Sequence, residues 1–181
     1  MKIALIAISF ASLSAAPVMA QTAKPFEEMS NSAQKLRDSI VLLARAQIGT
    51  RYKLGGTTPE KGFDCSGLVK FVMAALNLDV PRTSKQQAKV GLAIVRDTGH
   101  LLPGDLLTFG RGKKGAVSHV GIYVGDGRFV QASSAAGRVV ETPLDRPPSP
   151  RIKVWRGARR VLPDDSTSAN NPSTVASKGG L

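Results

Sequence analysis

The sequence predicts an α+β domain in which helices come first and a mostly antiparallel sheet of five strands follows. Two observations carry that expectation. Ahead of Pro103-Gly104 the apolar residues recur at helical spacing, and beyond it the period shortens to that of strands. The strand-like runs are also joined by hairpin signals, and helices followed by hairpin-linked strands pack as α+β.

The chain has 181 residues, enough for one domain with ends. Residues 1–20 read as a secretory signal. Lys2 gives the positive end, Ile3 to Leu13 the apolar run, and Val18-Met19-Ala20 the small residues before a cut after Ala20. The apolar run is short for a membrane span, although an uncleaved anchor is the competing reading. The mature chain then starts near Gln21, with no cysteine after the cut to carry a lipid. It is therefore expected in the periplasm as a soluble protein, not a lipoprotein. The formal charge is +12, or 12 − 1 = +11 without Lys2. Such a charge favours weak association with anionic membrane lipids or acidic wall polymers. Nucleic acid is excluded as a partner by the export signal, by the absence of a binding motif and by an aromatic content of 5%.

Residues 21–31 are polar and read as a flexible linker, and a single domain is expected over 32–162. A helix is expected from Ser32, with Ala33, Leu36, Ile40, Leu43, Ala44 and Ile48 in period and Gly49 as its stop. Arg51 to Gly56 leads into a loop with Pro59 and Gly62. A second helix opens at Cys65, capped by Asp64, with Leu68, Val69, Val72, Ala75 and Leu76 on one face. It stops near Asn77 and Pro81. Pro81 to Ser84 is a turn, and Ser84 caps a short helix reaching about Gly91. Strands are expected at Asp105 to Phe109, Ser118 to Val124, Arg128 to Ser133, Arg138 to Thr142 and Lys153 to Val161. Between them lie the basic turn Arg111 to Gly115, the hairpin Gly125-Asp126-Gly127 and the proline-rich Pro143 to Pro150. The end, 163–181, has the composition of a disordered tail.

Cys65 is the only cysteine, so no disulfide is available within the chain. A lone exported thiol is either buried and inert or kept for reactivity. At a helix start the backbone N–H groups and the helix dipole favour its thiolate. A cysteine nucleophile needs a base and the base needs an orienting partner. His119 lies on a strand, and the hairpin brings Gln131 beside it as a direct or diagonal neighbour. Gln131 is expected to accept the Nδ1–H of His119, leaving Nε2 for Cys65. His100 reads as a surface group. One cysteine and two separated histidines do not make a zinc site, and no phosphate loop, dinucleotide fingerprint or nucleophile elbow is present, so neither metal nor cofactor is expected.

Six stretches occur in order: Tyr52 with Gly55-Gly56, Phe63 to Gly67, Pro81 to Ser84 with Gln87, Pro103 to Leu106, Ser118 to Tyr123, and Phe129 to Ala132. Over roughly Ile40 to Arg160 the chain resembles the NlpC-type murein endopeptidases, the cell-wall branch of the papain-like cysteine peptidases. The resemblance implies a papain-like fold, Cys65 as nucleophile and His119 as base, with Gln131 where many relatives carry a second histidine. It implies that Tyr52 helps hold the oxyanion and that Asp64 and Ser66 line the peptide site. Asp64 also has the simpler role of N-cap. Arg82 is a candidate for a substrate carboxylate, or else for a structural ion pair. The substrate implied is peptidoglycan, cut at an amide of diaminopimelate. This is either the D-glutamyl-γ-diaminopimelate bond or the D-alanyl-diaminopimelate cross-link, with a lean toward the cross-link. The rival readings are a catalytically silent wall-binding protein on the same fold, and an amidase or acyltransferase on another acyl substrate.

Overall fold

The computed structural model describes residues 23–111, 116–145 and 154–162, with side chains from residue 31 onward. The signal at 1–20, the tail at 163–181, most of the basic turn and most of the proline-rich connection lie outside the described residues.

Helix α1 runs Ala23–Ala46 and begins well before Ser32, so it takes in most of the segment expected as a linker. The segment is polar but contains no residue that stops a helix. Pro25 falls in the first turn, where its missing N–H has no partner to lose. After α1, Gly49 takes a left-handed φ of 94° and donates its N–H to Val139 O at 3.0 Å, which turns the chain onto the sheet. A two-stranded ribbon follows, β1 (Thr57–Thr58) with β2 (Gly62–Phe63). Helix α2 is Cys65–Ala74, and Asn77, at φ 59°, closes the turns after it. Helix α3 is only Ser84–Gln87, with Thr83 rather than Ser84 as its cap.

The remaining strands are β3 (Leu92–Ile94), β4 (Leu106–Gly110), β5 (Val117–Gly125), β6 (Arg128–Ser133), β7 (Arg138–Pro143) and β8 (Val154–Arg160). They form one sheet in the order β3-β8-β4-β5-β6-β7, antiparallel throughout. Among the described residues the sheet therefore has six strands, not five. The extra strand, β3, is three residues long and pairs only with β8 at the sheet edge. Its identity comes from that distant pairing, so its own short apolar run could not reveal it.

Alternation along the strands builds two cores. Val120, Ile122, Val130 and Ala132 pack against Leu68, Val69 and Val72 of α2 and Ile40 and Ala44 of α1. Leu107, Phe109, Tyr123 and Phe129 form a second, smaller core. There the Phe109 and Phe129 rings stack at 5.1 Å. Each large apolar side chain so buried contributes about 1.5–3 kcal/mol. The larger core presses α2 onto β5 and β6, and this contact sets the start of α2 against the strands that carry His119 and Gln131.

Candidate active site

The start of α2 is built backbone against backbone. Asp64 is extended (φ −89°, ψ 174°), and its Oδ1 accepts the N–H of Gly67 at 2.7 Å, which makes it the N-cap expected. Its Oδ2 accepts the N–H of Gly55 at 2.9 Å, tying the preceding loop to the helix. A Cβ on Gly67 would fall onto Gly56 O, and one on Gly56 onto Gly62 O. Glycine at these places lets the loop lie against the first turn. Cys65 follows the cap directly and is half-buried.

Arg82 closes its fork on Asp64, with Nη2 to Oδ2 at 2.7 Å and Nη1 to Oδ1 at 3.0 Å. Nη1 also donates to Ser66 Oγ at 2.9 Å, and that hydroxyl donates to Asp64 Oδ1 at 3.3 Å. The Arg82 fork is thus closed on a carboxylate of the chain, which is the structural ion pair given above as the alternative to a substrate carboxylate. Burial by itself would raise the Asp64 carboxyl. The Arg82 fork and the N–H groups of Gly67 and Gly55 outweigh it and hold the group below the usual carboxylate range. Gln87, wholly buried, fixes the Arg82 segment: its Nε2 donates to Pro81 O at 2.7 Å and Ser66 O at 3.0 Å.

Tyr52 enters from the segment alongside β2, bridged in parallel to Phe63. Its hydroxyl is pushed above the ordinary tyrosine range, first by burial and then by the negative charges of Cys65 and Asp64. It is therefore a neutral donor at physiological pH.

His119 and Gln131 meet as expected, but through the other ring nitrogen. Nε2 of His119 lies 2.6 Å from Gln131 Oε1. Gln131 Nε2 donates to the buried Thr142 Oγ1 at 3.1 Å, so the amide presents its oxygen to the ring. The expectation that Nδ1–H faces Gln131 is thereby corrected: Nε2 carries that proton. Strand sequence places the ring on a face but does not say which nitrogen meets the amide; the ring also lies tilted against Phe109, 5.8 Å between centroids.

The structure thus gathers Tyr52, Cys65, Asp64, Ser66 and Arg82 around the start of α2, and His119 with Gln131 on β5 and β6, against which α2 packs. Thr142 and the bracing role of Gln87 escaped the sequence reading. Thr142 could have been found by counting across the β6–β7 hairpin, since Val140 stands opposite Gln131.

The model of the NlpC/P60 family matches residues 49–156. The γ-DL-glutamyl hydrolase of Bacillus subtilis (strain 168) is 45% identical over 95 residues, 52% of this chain and 22% of its own length. The murein DD-endopeptidase MepH of Escherichia coli (strain K12) is 38% identical over 117 residues, 64% of this chain and 42% of its own. The chain thus spans less than half the length of either relative. A solved NlpC/P60 family protein from Bacillus cereus ATCC 10987 superposes with a TM-score of 0.63 at 34% identity, covering 70% of this chain and 40% of that one. The family match takes in every residue of the site just described, and the chain belongs to the NlpC/P60 family.

Proposed function

We propose that this protein is a murein endopeptidase that cuts amide bonds to diaminopimelate through Cys65, His119 and Gln131. The observation that carries the reading is the 2.6 Å bond from His119 to Gln131, braced by Thr142. It fixes the ring as a nucleophilic site requires, with Nε2 protonated and Nδ1 as the basic atom.

In the reaction, Nδ1 takes the proton of Cys65 and the thiolate attacks the stem-peptide carbonyl. The tetrahedral oxyanion is held by backbone N–H groups at the start of α2 and by the hydroxyl of Tyr52. The imidazolium protonates the leaving amine, giving a thioester, and Nδ1 then activates water to hydrolyse it. Gln131, being neutral, orients the ring without adding charge.

The D-alanyl-diaminopimelate cross-link is the proposed target. The relative named a murein DD-endopeptidase is in line with that choice, and the relative named a γ-DL-glutamyl hydrolase with the γ-glutamyl bond, so the murein digest decides between them. The proposed site of action is the periplasm, because Lys2, the apolar run and Val18-Met19-Ala20 read as an export signal.

Digestion of purified diaminopimelate-containing murein, with mass analysis of the fragments, tests the reading. Conversion of dimeric to monomeric muropeptides is expected, and it should vanish with Cys65→Ala. Stems shortened to dipeptides would move the scissile bond to the γ-glutamyl position. Unchanged murein would remove the enzyme in favour of a wall-binding protein.

A further inference from the structure

The peptide proposed above as substrate carries free carboxylates. A glutamate linked through its γ-carbon keeps its α-carboxylate, and diaminopimelate keeps one of its own. The fork of Arg82 is already engaged by Asp64. Strand β7 offers another cation.

In the unbroken register of β6 and β7, Val140 stands opposite Gln131 and Arg138 opposite Ser133. The bond from Gln131 to Thr142 fixes which face these residues share. Arg138, Val140 and Thr142 alternate onto it, so Arg138 lies on the face of Gln131. It is two positions along from the residue opposite Gln131, or about 7 Å. On the other side, Gly137 O accepts the N–H of Tyr52 at 2.7 Å, and Arg138 is bridged to Arg51. Along the backbone, Arg138 thus adjoins the Tyr52 segment on one side and the strand of Gln131 on the other.

Both arginines are exposed. Like charges opposite one another disfavour a ladder pair. Elsewhere on this edge such charge is neutralised: Glu141 pairs with Arg45 at 3.0 Å and with Arg128 at 2.8 Å. Among the described residues no carboxylate is ion-paired with Arg138 or Arg51, and Arg51 donates only to Glu60 O at 3.2 Å.

We propose that Arg138, seconded by Arg51, anchors a free carboxylate of the stem peptide, so that the enzyme selects acidic stems over amidated ones. The inference rests on the endopeptidase reading.

The test is steady-state kinetics on soluble muropeptides, prepared with free carboxylates and with those carboxylates amidated. Arg138→Gln should raise KM about tenfold on the acidic substrate and leave kcat within about twofold, while Arg138→Lys recovers part of the loss. The wild type should show the same rise in KM on the amidated substrate, where Arg138→Gln adds nothing. An unchanged KM in Arg138→Gln on the acidic substrate overturns the inference alone, as does an equal loss on both substrates. A wild type that cleaves neither overturns the endopeptidase reading, and the inference with it.

Discussion

His119 and Gln131 are joined by a single short bond, Nε2 to Oε1 at 2.6 Å, whose direction is set one strand further on by the hydroxyl of Thr142. The buried hydroxyl decides how the amide points, and the amide decides which ring nitrogen is protonated. Gln131→Ala is therefore expected to lower kcat by about 10- to 100-fold with a smaller effect on KM. Thr142→Val should give a milder loss, because the amide is then free to flip.

Gln131→Glu tests the charge rather than the bond. A carboxylate in that place stabilises the imidazolium, so the histidine titrates at higher pH. The limb of the pH–rate profile that reports deprotonation of His119 should shift to higher pH. A profile identical to the wild type would mean that residue 131 does not touch the base during turnover.

Asp64 and Arg82 give a prediction about acid. The folded carboxyl titrates below its unfolded value of about 3.9, so its contribution to stability is fully present above that value. It is lost as the pH falls through the lower, folded value. Glu141, held low first by Arg45, against the opposing pull of burial, and then by Arg128, loses its contribution in the same acid range. The readout is therefore a difference curve: denaturation midpoints of wild type minus Asp64→Asn should narrow on acidification below about pH 4. Arg82→Gln should cost about 1–2 kcal/mol at neutral pH, the lower end for a charged hydrogen bond, because 36% of the Arg82 side chain is exposed to screening solvent.

What was legible beforehand was local. The cap at Asp64 and the strand pairs around Gly125 to Gly127 follow from short-range patterns, and β6 runs from Arg128 to Ser133 as expected. The rest needed partners far along the chain. β3 exists because Leu92 to Ile94 can pair with Ala158 to Arg160. Whether Arg82 faces the substrate or Asp64 depends on how the Pro81 segment is held, and that depends on Gln87 reaching two carbonyls. The proton on Nε2 of His119 rests on Thr142, a residue two strands away.

Gln87 should accordingly act through Arg82. Its Nε2 satisfies Ser66 O and Pro81 O, while its Oε1 is buried without a partner. Gln87→Met removes two hydrogen bonds but also one orphaned acceptor, so the net cost should be only about 1 kcal/mol. With Arg82 loosened, Asp64 stands less neutralised beside Cys65, and the thiolate becomes less favourable. The pH at which Cys65 alkylates should rise in Gln87→Met. In an Arg82→Gln background the same substitution should add nothing. An equal shift in both backgrounds would detach Gln87 from Arg82.

The most costly single substitution should fall on the ion pair of Asp105 with Arg160, far from the proposed chemistry in sequence but within the Pro103 to Leu106 motif. Arg160 donates from Nε to Oδ1 at 2.9 Å and from Nη2 to Oδ2 at 2.8 Å, with the two side chains 6% and 0% exposed. The N–H of Leu102 gives Oδ2 a further bond at 2.9 Å, and Arg160 Nη2 also reaches His100 O at 2.8 Å. The pair thus ties the turn ahead of β4 to β8. Arg160→Met would leave a carboxylate buried beside one N–H, and should cost about 3–5 kcal/mol in denaturant unfolding. Pairing that change with Asp105→Leu removes the stranded charge and should return much of the loss, since an apolar pair of similar size needs no desolvation. If the double variant is as unstable as the sum of the singles, the pair's worth lies in its bonds to Leu102 and His100 and not in the opposed charges.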